Sequence, residues 1–512
     1  MAKPTARGKE KMAKYKRYDY SQSVLVPVSL EEQLMPGTLE FAIHTLIETR
    51  MDLSVFDSKY NNDETGRSAY DPKVLLKIVL LAYSRGLISS RKIEQACREN
   101  IVFMALGCGQ QPDHSTIAAF VSSMQDQILP LFRDVLLICE EQKLLGGTFF
   151  ALDGCKLPSN ASKEWSGRIS DLKNKQAKLE QKVQRLLKEQ IEVDHNQGVD
   201  PAEQSKRERQ IKKLQHQADR IERWLNGNGP RTGGGGREVQ SNITDNESAK
   251  MHTSHGAIQG YNGQALVDKE HQVIVHAEAF GCGQDHGHAE PMLDGTKKNL
   301  QAIGHSQDCL KGKILTADTN YHSHNNIEKC LEEGLDAYIP DLKFRTRDKR
   351  FATNKRQRTR KDKPFRLVDF KHDPACDEYI CPRGRRLTLS VKKFTRDRVI
   401  YRRYVADFAT CRRCRLKPRC LRRKNAKRKT IDVPIGVTED NYSKAMSHKV
   451  DSSKGRRLYP QRIAIVEPVF ANIRTHKLLN RFTLRGKSKV NIQWMLYCMV
   501  HNLGKIMRYA PG

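Results

Sequence analysis

The chain has 512 residues, of which 38% are hydrophobic, and its formal net charge is +31. This length accommodates two to four domains with at least one large core. No run approaches the roughly 18–20 apolar residues of a membrane helix, which argues against a membrane protein. The basic first twenty residues lack the apolar segment of a signal peptide, so we expect a cytoplasmic protein.

The charge balance predicts a polyanionic partner. The sequence holds 90 Lys and Arg residues against 59 Asp and Glu residues. Such an excess on the surface raises the local concentration of polyanions. No amphipathic basic helix or lipid anchor for a membrane surface is evident. Double-stranded DNA is therefore the expected partner, and the protein would associate with the nucleoid when bound to it.

A basic arm (residues 1–22) precedes a helical N-terminal segment (residues 23–145), which we expect to bind DNA. Apolar residues recur there at steps of three and four, the period of a buried helix face. Asp113 or Ser115 is expected to cap one of these helices. Short helices joined by polar turns are compatible with a helix-turn-helix element and also with a simple helical bundle.

A buried strand is predicted at Phe149–Leu152, ending in Asp153 and Gly154. The pair Asp153–Gly154 is also a common turn dipeptide, so a plain turn is the alternative interpretation. Residues 163–240 then read as an insertion. They contain a helical hairpin and a glycine-rich linker in which no packed structure is expected. The apolar seam of the hairpin would consist of Leu172, Leu179, Val183 and Leu186.

Strand-like chain resumes after the linker. Residues 256–268 and 272–281 read as an antiparallel pair joined by a turn at residues 268–271. A helix follows, and then the strand "KILTA" releases Asp318 into a polar turn. The alternation of strands and helices predicts a mixed α/β sheet. Residues 146–342 and 455–512 would form this core.

A second insertion is predicted at residues 343–454. It opens with the dense basic run 343–366, which favours contact with the DNA backbone. The cysteines that follow have the layout of a structural Zn²⁺ site. The candidate ligands are Cys381, Cys411, Cys414 and Cys420, with Cys376 as a competing ligand. Reduced, metal-free thiols remain the alternative, because thirteen cysteines in a reducing compartment do not predict disulfides.

A third acid stands in the C-terminal segment. Glu467 lies in the mostly apolar stretch "RIAIVEPVF", where a charge is costly unless it is paired or bound to metal. Asp153 and Asp318 each follow a predicted strand, and functional groups gather where strands end. Three acids brought together repel one another, and hard cations relieve that repulsion. The trio therefore predicts a site for two divalent metal ions that acts on phosphodiesters.

Several local sequences resemble those of bacterial insertion-sequence transposases of the DDE type. They are "FFALDGCKLPSNASK", "SAKMHTSHGAIQGYNGQALVD", "ILTADTNYHSHNNI", "STIAAFVSSM" and "IVEPVFANIRTHKLLNRFTLRGKSKVNIQWMLYCMVHNLGKI". The closest resemblance is to insertion-sequence family eleven-eighty-two. It implies an RNase H-like catalytic core in which Asp153, Asp318 and Glu467 are the catalytic acids. It also implies Mg²⁺ or Mn²⁺ as cofactor, two ions per site, and the joining of 3′-hydroxyl ends to target DNA.

The same resemblance implies helper residues around Glu467. Tyr459 and Arg462 precede it, and Arg474 follows; all three are assigned to DNA binding. The step from Arg462 to Glu467 is one residue longer than usual in such transposases, and Arg474 stands where lysine is commoner. Arg474 lies two helical turns beyond Glu467, so a phosphate contact is physically reasonable.

The sequence thus predicts a DNA transposase that binds terminal inverted repeats and catalyses metal-dependent strand cleavage and strand transfer. A homodimer is expected in the DNA complex, because two ends must be cut and joined together. A catalytically silent DNA-binding regulator and an RNase H-like nuclease are the alternatives. Asp285 or Glu290 is a candidate outer acid. Surface positions are expected for four histidines, namely His252, His255, His286 and His288.

Overall fold

Six α-helices lie in the described residues of the N-terminal part of the chain. The structure is a computed structural model that describes residues 27–59, 68–195, 201–233, 236–254, 256–348, 350, 365–396, 399–421, 426–437 and 442–510. The helices are α1 (Leu39–Thr49), α2 (Pro72–Ser84), α3 (Ser90–Glu99), α4 (Ile101–Leu106), α5 (His114–Ser122) and α6 (Ile128–Glu141). The basic arm lies outside the described residues.

Helix α2 is the centre of this helical part. The Asp71 side chain accepts the Lys73 N–H, and Pro72 occupies the first helical position. Both features favour a helix that begins here. Every side chain from Val74 to Tyr83 is buried. The cap predicted at Asp113 is confirmed, because its carboxylate accepts the Thr116 N–H at the start of α5.

The helical hairpin leaves the core after the first strand, β1 (Phe149–Pro158). Short paired strands β2 (Ser166–Gly167) and β3 (Ser241–Asn242) flank it, and it consists of α7 (Ile169–His195) and α8 (Pro201–Gly227). Of the predicted seam, Leu172, Val183 and Leu186 are buried against α8, and Leu179 is partly buried beside them. Residues 196–200, between the two helices, lie outside the described residues.

The prediction of a linker without packed structure is wrong at Arg231. Its guanidinium donates hydrogen bonds to the carbonyl oxygens of Asn246, Ser248 and Gly281, at 2.6–3.1 Å. Thr232 and Glu238 also pair as an isolated bridge. One arginine thus anchors the return from the hairpin to the core, although glycines surround it.

A mixed six-stranded sheet forms the core, as predicted. Its other strands are β4 (Ala249–Thr253), β5 (Gly256–Asp268), β6 (Ile274–Phe280), β7 (Ile314–Ala317) and β8 (Asp336–Tyr338). The strand order is β4-β5-β1-β7-β8, and β6 also pairs with β5. β5 is antiparallel to β1, β4 and β6, whereas β1, β7 and β8 are mutually parallel. Helices α9 (Ala289–Ala302) and α10 (His324–Glu332) connect the later strands.

A separate antiparallel sheet lies within the second predicted insertion, after the short helix α11 (Phe344–Arg347). Its strands are β9 (Lys371–Asp373), β10 (Glu378–Ile380), β11 (Arg386–Arg396), β12 (Val399–Ala406) and β13 (Thr430–Val437). Between β12 and β13 stand two single-turn helices, α12 (Phe408–Arg412) and α13 (Lys417–Cys420). The buried apolar residues of this sheet form their own cluster. We refer to residues 365–437 as the cysteine-rich region.

Residues 442–510 contain four α-helices. They are α14 (Tyr442–Asp451), α15 (Ser453–Leu458), α16 (Gln461–Ala471), which continues as a π-helical turn (Asn472–His476), and α17 (Lys487–Tyr509). Helix α14 packs against α10 and β8. Residues 442–451, predicted as part of the second insertion, therefore pack against the core. None of the helices in the described residues is both long and apolar enough to span a bilayer.

Helix α17 joins the N-terminal helices to the sheet. It packs against α2 and α6 on one side and β6 on the other, and nearly all of its central residues are buried. Buried residues from both parts therefore form one continuous hydrophobic core. Trp494 donates a hydrogen bond to the Gln264 carbonyl oxygen at 2.9 Å, fixing α17 over β5.

Asn502 closes the outer edge of the sheet. Its side chain accepts the Ile274 N–H and donates to the Ile274 carbonyl oxygen, both at 2.9 Å, in place of a further strand.

Asn502→Ala leaves both buried groups unpaired, so we expect a loss of about 2–4 kcal/mol of unfolding free energy. Thermal and urea unfolding would measure it. Met507→Ala, at an exposed position of the same helix, should change little; equal effects of the two substitutions would contradict this role of Asn502.

Candidate active site

Two acids lie side by side on neighbouring inner strands of the central sheet. In the parallel pairing of β1 and β7, Leu152 is opposite Ala317. The next residues on the two strands are Asp153 and Asp318, and both line a cleft of about 590 Å³. The register of two neighbouring strands therefore brings together carboxylates that are far apart in the sequence.

The strand does not end at Asp153 as predicted. β1 continues to Pro158, because residues Gly154–Pro158 pair with Gln264–Gly260 on β5. Asp153 thus lies within an ordered strand, and the turn interpretation is wrong. Gly154 serves another purpose: a Cβ atom there would lie 2.7 Å from Asn262 Oδ1 and closer still to the amide of Gln264.

Arg462 on α16 neutralises Asp153. A guanidinium nitrogen of Arg462 forms an ion pair with Asp153 Oδ2, and the Gly154 N–H donates to Oδ1 at 2.8 Å. Burial raises the pKa of Asp153 to about 6, although Arg462 and the Gly154 N–H act to lower it. Asp153 therefore carries its negative charge at neutral pH only at a cost in stability.

Asp318 caps the 3-10 helix Thr319–Tyr321. It accepts the Asn320 N–H at 2.7 Å. Burial raises the pKa of Asp318, and the neighbouring Asp285 raises it further, while the Asn320 hydrogen bond and Arg462 lower it. Arg462 thus acts electrostatically on both acids.

Helix α16 and the turn that follows it contribute residues to the cleft around Asp153 and Asp318. Phe470 and, beyond the end of α16, Arg474 in the π-helical turn line the cleft, whereas Ile465, Val466 and Val469 are buried in the core. Tyr459, just before the helix, packs edge-on against Phe344 at 5.3 Å. Burial raises the pKa of Tyr459, and adjacent Arg462 opposes that rise.

Glu467 is exposed on α16 and is not among the residues that line the cleft. The π-helical turn changes the angular step per residue, so Arg474 does not simply repeat the face of Glu467 two turns on. Pro468 follows Glu467 and leaves the Ala464 carbonyl without its helical donor; the Gln272 side chain donates to it instead, at 2.9 Å. Among the predicted residues, the structure groups Asp153, Asp318, Arg462 and Arg474, with Tyr459 beside them.

A third carboxylate in the cleft belongs to Asp285. It is buried and accepts hydrogen bonds from Asn262 Nδ2 at 2.6 Å and Gln264 Nε2 at 2.9 Å. Burial acts to raise the pKa of Asp285, but His288 and Asn262 lower it overall. Among the described residues Asn262 Oδ1 has no hydrogen-bond partner although it is buried. The sequence indicated Asp285 only as a candidate outer acid, because the residues that hold it, Asn262 and Gln264, lie on the distant strand β5.

The remaining predicted positions are less central. His252 is exposed at the rim of the cleft, and Glu290 and His286 are exposed. The surface position predicted for His288 is wrong: it is buried and its ring stacks on Phe280 at 4.1 Å. His255 lies outside the described residues.

The four predicted zinc ligands come together in the cysteine-rich region. Cys381, Cys411 and Cys420 pack against the same small apolar cluster. Burial raises the pKa of the Cys420 thiol, Lys429 acts to lower it, and electrostatic interaction with the nearby Cys411, Cys381 and Cys414 raises it further. Cys376 is exposed in the β9–β10 turn. Within the described residues, no three Cys, His, Asp or Glu side chains have the geometry of a preformed metal site.

Two family models match the chain. The one described as "Transposase DDE domain" matches residues 380–507, and the one described as "Transposase domain (DUF772)" matches residues 28–123. No curated protein matches the chain at a significant level. The matches support an insertion-sequence transposase of the DDE type, for which DNA is the implied partner. Asp153 and Asp318 lie outside both matched segments, whereas Arg462, Glu467 and Arg474 lie within the first.

Removing the charge of Asp153 should have a pH-dependent effect on stability. Its folded pKa of about 6 lies above that of an unfolded aspartate, so native stability falls as the pH rises through 6. Asp153→Asn should therefore stabilise the metal-free protein more at about pH 7.5 than at about pH 5, by on the order of 1 kcal/mol.

Unfolding midpoints in the presence of a chelator would measure this difference. Asp308→Asn, which removes an exposed acid outside the cleft, is the matched control. An equal shift for Asp153→Asn at both pH values would contradict the raised pKa.

Proposed function

We propose that the chain is a DNA transposase that binds the terminal inverted repeats of an insertion sequence and catalyses metal-dependent strand cleavage and strand transfer. The observation that carries this proposal is the meeting of Asp153 and Asp318 in one cleft beside Arg462 and Arg474. Carboxylates recruit cations and the arginines attract phosphate, which is the pairing that a phosphodiester substrate requires. The family matches at residues 28–123 and 380–507 supply the class.

An RNase H-like core is part of the proposal. Its support is the sequence of three strands in antiparallel succession (β1, β5, β6), then helix α9, parallel strand β7, helix α10 and parallel strand β8. Helix α16 packs on β1 and β5 and carries the third proposed acid. The hairpin and the cysteine-rich region would then be insertions into that core. Membership of insertion-sequence family eleven-eighty-two stays a prediction.

The cleft suits hard cations such as Mg²⁺ or Mn²⁺. Asp153 and Asp318 offer carboxylate oxygens, and the buried amide oxygen of Asn262 has no partner among the described residues. Two such ions, when bound, supply activation of the attacking oxygen and stabilisation of the leaving oxygen. Arg462 holds Asp153 in place and competes with a cation for the same carboxylate. Glu467, proposed as the third ligand, must turn from its exposed position on α16 to contribute.

The remaining roles follow from charge and position. Arg462 and Arg474 are proposed to hold the scissile phosphate, with Tyr459 supporting Arg462. The helices of residues 23–145 and the basic run 343–366 would grasp the element ends; most of that run lies outside the described residues. The active complex is proposed to be a homodimer, with the α7–α8 hairpin as a candidate contact because it extends from the core as a separate unit.

A strand-transfer assay tests this function. Labelled duplexes from the DNA that flanks the gene would first be screened by footprinting for protected ends, and then incubated with the protein, Mg²⁺ and a target plasmid. Joined products are expected. Cleavage without joining would instead indicate a nuclease, and protected ends without any product would indicate a regulator.

Asp318→Ala and Asp153→Asn should each lower product formation at least about 100-fold, because each removes a cation ligand. End binding should persist, and Asp308→Ala should match the wild type. Glu467→Gln should have the same effect if that acid reaches the cleft. Wild-type product yield from Asp318→Ala would exclude Asp318 from the site.

A further inference from the structure

The cysteine-rich region has too small a core for its size. Among its described residues, the buried apolar side chains are Phe370, Leu387, Tyr404, Ala406 and Ile431, and the other hydrophobic residues of the cluster are only partly buried. This cluster is separate from the main hydrophobic core. A unit of about 70 residues with so few buried side chains generally needs a disulfide, a metal or another cross-link to remain folded.

Three segments of this region converge on that cluster through cysteines. Cys381 stands in the β10–β11 turn, Cys411 in α12 and Cys420 at the end of α13. Cys414 follows α12, in the spacing Cys-x-x-Cys with Cys411. None of these elements is long enough to be stable alone, so something at their meeting point must hold them together.

Backbone hydrogen bonds fix the turn that carries Cys381. The Arg385 N–H donates to Cys381 Sγ at 3.4 Å, and the Gly384 N–H donates to the Cys381 carbonyl oxygen at 2.7 Å. This backbone donor fixes the position of the Cys381 sulfur within the turn. The side chain of Arg383 also reaches the Arg413 carbonyl oxygen at 3.4 Å. This bond ties the Cys381 turn directly to the Cys411–Cys414 turn.

We propose that Cys381, Cys411, Cys414 and Cys420 bind one structural Zn²⁺ that cross-links the β10–β11 turn, α12 and α13. Four thiolates are a common closed ligand set for zinc. The nearby cations Arg383, Arg413 and Lys429 offset the excess negative charge of such a site, and Lys429 donates to the Cys420 carbonyl oxygen at 3.2 Å. Within the described residues the four cysteine side chains do not form a preformed metal site, so zinc binding would have to draw the four sulfurs together. Cys376 is excluded because its turn lies at the other end of β10.

This site is independent of the proposed catalytic function. The full-length chain, produced in zinc-supplemented medium and purified without chelator, should contain about one zinc per chain by elemental analysis. A thiol-blocking reagent should release that zinc to a metallochromic dye. Because this measurement uses the wild-type chain, it does not depend on whether a variant folds.

Variants identify the ligands. In Cys411→Ser and Cys420→Ser the zinc content per chain should fall at least tenfold. Their cysteine-rich region should also become sensitive to limited proteolysis. Cys376→Ser is the matched control and should keep its zinc, as should Asp318→Ala. Wild-type protein without zinc, or equal zinc loss in Cys376→Ser and Cys411→Ser, would overturn the proposal.

Discussion

The proximity of Asp153 and Asp318 is the constraint around which the core is arranged. Parallel pairing of β1 with β7 places the two acids next to each other, where burial raises both pKa values. A positive charge that reaches the pair from outside the sheet relieves its repulsion. Arg462 supplies such a charge from α16, which packs against β1. The ion pair thereby couples the acids of the sheet to the helix that carries Glu467.

Rigid packing around α16 and α17 maintains this geometry. Gln272 repairs the hydrogen bond that Pro468 removes from α16, and Asn502 and Trp494 attach α17 to β6 and β5. Helix α17 also packs on α2, so the N-terminal helices share one core with the sheet. A displacement of those helices would consequently change the packing against the sheet. By contrast, the hairpin and the cysteine-rich region have clusters of their own.

The pattern of the sequence predicted what depends on local periodicity. The mixed sheet, the seam of Leu172, Val183 and Leu186, and the strand before Asp318 follow from apolar spacing alone. The continuation of β1 beyond Asp153 does not, because Asp–Gly is a turn signal and only pairing with β5 overrides it. Arg231 was missed for a similar reason: its three carbonyl partners are on distant segments, whereas its neighbours are glycines.

Long-range contacts also explain what the sequence left open at the site. Asp285 enters the cleft because Asn262 and Gln264 on β5 hold it, and no spacing in the sequence indicates that contact. The three carboxylates Asp153, Asp285 and Asp318 are then matched by three cationic side chains, Arg462, Arg474 and Lys156. A DNA phosphate would draw on the arginines and leave the acids unbalanced, so phosphate and divalent cations should favour each other's binding.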